Sequence, residues 1–205
     1  MRRRAGRDPQ PAAGAVDTQS VKTTAVGGPR SWDGHKRVKG RKRHLLVDTE
    51  GLVLRAVVHG AALNDGTALP LLRAGAPAAF PRLRHLWADR GYAGRAKAWV
   101  ERELGWTVEL PARRAGGGRG GWVPAWTPDR PPAERRAGWA WVPPAPREPW
   151  ALAHLRPQRW VVERTCAWLG HSRRLAKDYE RSPHSSAAVI YAASIRLCAR
   201  RLARS

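Results

Sequence analysis

A mixed α/β domain is what this sequence predicts, on three observations. Short apolar, β-branched runs bounded by turn residues crowd the first half of the chain. Segments with helical spacing alternate with the later runs, and two further helical segments close the chain. Strands first, then strands alternating with helices, then helices alone is the order expected when helices pack on a largely shared sheet.

The elements follow in order. Residues 1–12 are basic and carry two prolines, which reads as a loose arm. Ala13–Asp17 is apolar enough for a strand ending at Asp17. Residues 18–42 hold Gly27-Gly28-Pro29 and lead into the run Lys36-Arg37-Val38-Lys39-Gly40-Arg41-Lys42-Arg43, a loop or twisted edge. His44–Val47 and Leu52–His59 flank Asp48-Thr49-Glu50-Gly51, the pattern of a β-hairpin. Residues 65–74 read as a helix and Leu83–Asp89 as the next strand. Tyr92–Leu104 is helical, with Ala96, Trp99, Val100 and Leu104 on one stripe and Gly105 placed to end it. Thr107–Leu110 is a further strand.

Composition changes at residue 114. Residues 114–157 hold nine of the 17 prolines and five of the 11 tryptophans, and neither a 3.6- nor a 2-residue period persists. This segment reads as an irregular insertion dividing the domain into residues 13–113 and 158–205. Helical spacing returns with Val162, Cys166 and Leu169. A last helix starts at Ser182-Pro183, a capping serine followed by a first-turn proline, and Ala187, Ile190, Tyr191, Ser194, Ile195, Cys198 and Leu202 are its expected inward face.

Charge narrows the partners. Lys plus Arg is 38 against 16 Asp plus Glu, a formal net charge of +22. An excess that large favours a polyanion, nucleic acid above all, through phosphate neutralisation and counterion release. No run approaches the roughly 18 apolar residues of a membrane helix. The basic start Met1-Arg2-Arg3-Arg4 has no apolar stretch behind it, so it does not read as a signal peptide. Two cysteines in apolar helical patterns, Cys166 and Cys198, suit buried thiols in a reducing cytoplasm.

Three carboxylates stand out against this background: Asp17, Asp89 and Glu163. Two close strand-like runs and the third lies in a helix-like run. Carboxylates converging from separate elements are what two divalent cations at a phosphodiester require, an aspartate shared between the ions and one further carboxylate for each. Each also has a plainer reading. Asp17 suits turn initiation, Asp89 suits a helix N-cap or turn, and Glu163 suits an i, i+4 pair with Arg159 on a solvated face. Lys36, Lys39, Arg41, Lys42 and Arg43 are candidate phosphate contacts, as are Arg159, Arg164, Arg173 and Arg174. His59 and Asp65 are candidates for support behind the carboxylates, with loop and helix-start roles as the alternatives.

The sequences around these carboxylates carry a resemblance. Asp17-Thr18-Gln19-Ser20-Val21-Lys22-Thr23-Thr24, Gly27-Gly28-Pro29-Arg30, Val38 through Thr49, Ala88-Asp89-Arg90-Gly91-Tyr92-Ala93-Gly94 and Arg159-Trp160-Val161-Val162-Glu163-Arg164-Thr165, in that order, resemble the IS5-group, IS4-like DDE transposases. So do Trp168-Leu169-Gly170 and Arg173 through Glu180. The resemblance spans residues 5–113 and 158–200. It implies an RNase H-like catalytic domain with Asp17, Asp89 and Glu163 as the metal-binding triad. It further implies two Mg²⁺ or Mn²⁺ ions, cleavage and strand transfer on element-end and target DNA, and a homo-oligomer on that DNA.

Departures from the pattern are specific. The family's third motif has Tyr where Arg156 stands and Lys where Gly170 stands, with Arg173 nearly a turn further on. Arg90 replaces a small residue. Relatives carry an N-terminal DNA-binding region ahead of the first Asp, so a second-frame product with an upstream-frame DNA-binding partner is one expectation and a decayed copy another. The rival functional readings are a catalytically inactive remnant that binds DNA non-specifically and, on charge and tryptophans alone, an RNA-binding structural protein.

Overall fold

The computed structural model describes residues 1–111, 121–124, 139–142 and 160–203. The chain divides into two units, residues 1–111 with 155–205, and residues 112–154.

The larger unit is built on a six-stranded sheet. Its strands are β1 (Ala13–Lys22), β2 (Ser31–Asp33), β3 (Val38–Asp48), β4 (Val53–Gly60), β5 (His85–Trp87) and β6 (Thr107–Glu109). β1 lies at the centre. It pairs antiparallel with β3 from Gly14↔Asp48 to Lys22↔Gly40, and parallel with β5 from Ala13↔His85 to Ala15↔Trp87. β4 and β2 share the far edge of β3, both antiparallel, and β6 lies parallel to β5. The path β4–β3–β1–β5–β6, with only β3 opposed to the others, is the RNase H-like arrangement.

Side-chain alternation along the strands feeds two cores. Val16, Leu46 and Leu86 face one side, where Leu69, Leu72, Ala96 and Val100 cover them. Ala15, Leu45 and Val47 face the other, against Val161, Val162, Leu169 and Ile190. The first cover comes from α1 (Asp65–Ala68), a 3-10 turn over Leu69–Arg73, α2 (Ala76–Ala79) and α3 (Arg95–Leu104). The second comes from α4 (Trp160–Gly170) and α5 (Pro183–Ala203). Because both faces are covered, Leu45-Leu46-Val47 is a continuous apolar run rather than an alternating one.

Several expectations change. β1 runs five residues past Asp17 to Lys22, so Asp17 is a mid-strand residue. The ladder extends because the basic run is not a loop: from Val38 it is the first half of β3. Gly40 permits that pairing, since a Cβ there would stand 1.9 Å from the Val21 carbonyl oxygen. The helix expected over 65–74 breaks after Ala68, where Pro70 removes a backbone donor and the chain tightens into a 3-10 turn. β5 stops at Trp87, two residues short of Asp89. The arm at residues 1–12 is docked through ion pairs of Arg2 with Asp48, Arg7 with Glu50 and Arg82 with Asp8. α3 ends as read, with Gly105 at φ 64°. On α5, Ile190 is buried, but Ile195 is 69 % exposed and Leu202 is exposed too, so the expected inward face is narrower than the pattern suggested.

The smaller unit contains an antiparallel pair, β7 (Gly121–Pro124) with β8 (Trp139–Val142). This departs from a wholly irregular insertion. The rest of that expectation lies outside the described residues. Among those residues no helix is long and apolar enough to cross a membrane.

Candidate active site

Register places the first two carboxylates. β1 and β5 are parallel neighbours paired at Ala15↔Trp87. Asp17 lies two residues beyond Ala15, still within β1, and Asp89 two beyond Trp87, just past the end of β5, so the two are level in the register of adjacent segments. Asp17 shares its sheet face with Ala15, the face that α4 covers. Glu163 lies in the first turn of α4, exposed between the buried Val162 and Thr165. Burial pushes the Asp17 carboxyl up to about 6, opposed by the bond from Thr18 N–H at 2.7 Å and reinforced by the charges of Glu163 and Asp89. Each of the other two carboxylates thus acts on Asp17 through space.

The local chemistry of each differs. Asp89 caps the 3-10 turn Arg90–Tyr92, its Oδ1 accepting from Gly91 N–H at 2.8 Å. The capping reading of Asp89 and its place beside Asp17 therefore coexist. A Cβ at Gly91 would be 3.0 Å from Asp89 Oδ1 and 3.8 Å from Asp65 Oδ2, so both carboxylates approach Gly91. Asp65 in turn holds Lys42 Nζ at 3.0 Å.

Behind these carboxylates lies a buried polar layer that the sequence did not disclose. Tyr92 Oη and His44 Nε2 are 2.8 Å apart, and both residues are fully buried. The His44 ring stands 6.1 Å from that of His59. Burial, with the His59 charge adding to it, drives His44 down to about 3, so it is neutral at physiological pH. Burial and the charges of Asp65, Asp17 and Asp89 raise Tyr92 far above its usual range. His44 reads in sequence as the polar end of an apolar strand, and only its pairing with a distant tyrosine reveals its role. Asp33 is similar. It is buried, and burial works against its charge, but Ser20 Oγ at 2.6 Å, two backbone N–H groups and Lys42 outweigh that and hold it at about 2.

The expected DNA contacts separate into groups. Lys36, Lys39 and Arg173 are exposed, and Arg174 is exposed with Glu180 as an ion partner. Arg164 is held between the Trp160 and Trp168 rings, 4.4 Å from each centroid, and donates to the Glu50 carbonyl. Arg41, Lys42 and Arg43 require correction: all three are buried. Arg41 reaches Asp178 and the carbonyls of Pro29, Glu180 and Arg181, and Arg43 reaches the carbonyls of Leu175 and Lys177. Charges committed to internal bonds inside the fold do not present themselves to phosphate. Arg159 lies outside the described residues.

The donor set suits hard divalent cations: carboxylate oxygens, one of them half-buried and raised by like charges that a cation would relieve. Among the described residues, however, no three acidic, histidine or cysteine side chains stand close enough together to hold an ion as placed. The carboxylates are neighbours electrostatically without forming a closed cage.

Residues 8–198 match the family described as the transposase DDE domain. A protein of Burkholderia cepacia described as a transposase for insertion sequence element IS402 is 32 % identical over 151 residues, covering 69 % of this chain and 54 % of that relative. The chain thus spans about half the length of the curated relative it matches. Among solved structures, the catalytic core domain of BIV integrase is similar at a TM-score of 0.41 and 16 % identity, over 90 % of this chain and 81 % of that one.

Proposed function

Because this chain belongs to the transposase DDE-domain family, we propose that it is the catalytic domain of an insertion-sequence transposase of the IS5 group, IS4-like, which cuts a DNA strand at an element end and joins it to target DNA. The observation that carries this reading is the convergence of Asp17 and Asp89 from paired parallel strands, with Glu163 close enough to act on Asp17.

The residues have distinct tasks. Asp17, Asp89 and Glu163 would hold two Mg²⁺ or Mn²⁺ ions. Bound there, divalent cations supply activation of water and stabilisation of the leaving oxygen in an in-line displacement. Asp17 would take the shared position, because it is the half-buried carboxylate on which the charges of the other two act. Lys39 and Arg173 are exposed, and they grip the DNA backbone. Hydrolysis at the scissile phosphate leaves a 3′-hydroxyl. That hydroxyl then attacks a target phosphodiester, breaking one P–O bond as it forms another. The partners are element ends and target DNA, with a homo-oligomer assembled on paired ends and an upstream-frame DNA-binding protein as a further partner. The compartment is the bacterial cytoplasm, at the nucleoid.

The test is nicking and strand transfer on element-end DNA with Mg²⁺ or Mn²⁺, comparing wild type with Asp17→Asn, Asp89→Asn and Glu163→Gln. Loss of both reactions in all three variants is expected. Full activity in Asp17→Asn would refute the assignment. The second reading, an inactive DNA-binding remnant, is favoured by the open spacing of the carboxylates. It predicts DNA binding that falls steeply with salt and no cleavage with either metal.

A further inference from the structure

Lys36 is set apart from the rest of its basic run. Arg41, Lys42 and Arg43 are consumed inside the fold, and Lys36, Arg37 and Lys39 are exposed, but it is the Lys36 ammonium that reaches back to β1, to the Thr18 carbonyl at 3.1 Å. Thr18 follows Asp17, and its own N–H is bound to the Asp17 carboxylate. The ammonium therefore stands on the backbone immediately beside the half-buried acid of the site.

A built turn delivers it there. The segment between β2 and β3 passes through Arg37 at φ 54°, the one non-glycine residue with positive φ among the described residues. Asp33 fixes that segment: its Oδ1 accepts from His35 N–H and Lys36 N–H at 3.0 Å each, and its Oδ2 accepts from Ser20 Oγ. A left-handed residue and a buried carboxylate holding two successive backbone donors leave Lys36 little choice of direction. The charge of the same ammonium also acts on Asp17, Asp65 and Cys166. Among the described residues its hydrogen-bond acceptor is a neutral carbonyl, a weaker partner for an ammonium than an anionic oxygen.

We propose that Lys36 is a catalytic residue: its ammonium is the resident cation beside Asp17, and it transfers to a non-bridging oxygen of the scissile phosphate when DNA enters. This rests on the transposase reading above. Negative charge builds on that oxygen during displacement, so a preplaced ammonium favours the transition state over bound substrate. No bond to Lys36 forms or breaks.

Two measurements on the full chain test it, with Lys36→Met, which keeps the aliphatic stem, and Lys36→Arg. In the first, single-turnover cleavage of element-end DNA at saturating protein and Mg²⁺ falls about 100-fold in Lys36→Met, the effect of losing one such donor, while DNA affinity changes less than about threefold. Lys36→Arg recovers part of the rate. If Lys36 merely grips the backbone, affinity and the salt slope fall, the slope by roughly one, and the saturated rate holds; that result overturns the proposal. The second uses no DNA: Mn²⁺ binding followed by electron paramagnetic resonance. Lys36→Met tightens Mn²⁺ binding several-fold, because the competing internal cation is gone, and unchanged Mn²⁺ affinity also overturns the proposal. A wild-type protein that binds Mn²⁺ but never cuts refutes the transposase reading by itself, and the Mn²⁺ comparison still judges the placement of Lys36.

Discussion

Arg41 and Asp178, 137 positions apart in the chain, form an ion pair at 3.2 Å with neither side chain exposed. Asp178 is further held by Ser186 Oγ at 2.8 Å and Glu180 N–H at 3.0 Å. The pair ties the start of β3 to the link between α4 and α5, and so fixes the helix that carries Glu163. Removing one partner leaves a buried charge with nothing to balance it. Asp178→Ala is expected to lower unfolding free energy by about 3–5 kcal/mol, read from urea titrations. Asp178→Ala with Arg41→Met should recover much of the loss. A phosphate-binding Arg41 would instead give a salt-slope change with stability intact.

His44 gives a pH signature. Its folded value, about 3, lies below the ordinary 6.5, so the unfolded chain binds the proton more tightly. Its contribution to stability is therefore whole above about pH 6.5 and lost as pH falls toward 3. Between pH 6.5 and 4, His44→Gln should lose stability less steeply than wild type, with the curves diverging by a few kcal/mol, on the order of 2–4. Parallel curves in denaturant titrations would mean that His44 is not buried as a neutral ring.

Asp17 has the opposite sign. Its carboxyl is raised from 3.8 to about 6, so the folded state holds the proton more tightly. Stability from this group is full below about pH 4 and lost as pH rises through 6. In chelator, Asp17→Asn should be more stable than wild type at pH 7.5 by up to about 3 kcal/mol, and the two should match below pH 4. Adding Mn²⁺ should stabilise wild type and leave Asp17→Asn unmoved, since an amide is a poor substitute for an anionic ligand. Thermal melts at both pH values with and without Mn²⁺ read all four cases.

Asp89 separates capping from catalysis. Asparagine is as good an N-cap as aspartate, because its carbonyl oxygen accepts the same Gly91 N–H. Asp89→Asn should keep the melting temperature within the equivalent of about 0.5 kcal/mol, whereas Asp89→Ala should lose about 1 kcal/mol. Cleavage should disappear in both. An Asp89→Asn protein that cuts at wild-type rate would leave Asp89 as a cap alone.

The sequence exposes those features that local chemistry determines. The apolar runs give the strands, Gly105 gives the end of α3, Ser182-Pro183 gives the start of α5, and the ordered carboxylate motifs give the candidate site. What it conceals depends on partners far along the chain. Arg41, Lys42 and Arg43 read as a solvent-facing basic run because most of the groups that hold Arg41 and Arg43 lie from Leu175 onward, and the Lys42 partners Asp33 and Asp65 flank it at a distance. β1 outruns its apolar stretch because pairing on β3 sustains it from Thr18 to Lys22. The tryptophan-rich segment has too little periodicity to announce the β7–β8 pair.

Gly51 links the sheet to α4, the helix that carries Glu163. It follows the β3–β4 turn with φ at 80°, and a Cβ there would meet Thr165 Oγ1 at 2.8 Å, Arg164 Nη2 at 3.2 Å and the Trp168 ring at 3.3 Å. Thr165 Oγ1 already lies 3.0 Å from both the Gly51 and Val161 carbonyls, so it has little room to yield. Gly51→Ala therefore adds backbone strain to a clash against α4, and it should cost about 1–3 kcal/mol. The clash pushes on α4 two residues from Glu163, so activity should fall more than stability alone explains at temperatures where the protein remains folded. Thr165→Ala removes the obstruction and not the strained φ. In a double-mutant cycle the pair should couple favourably by about 0.5–1 kcal/mol, and cleavage should recover with it. Additive losses would show that α4 is positioned by other contacts.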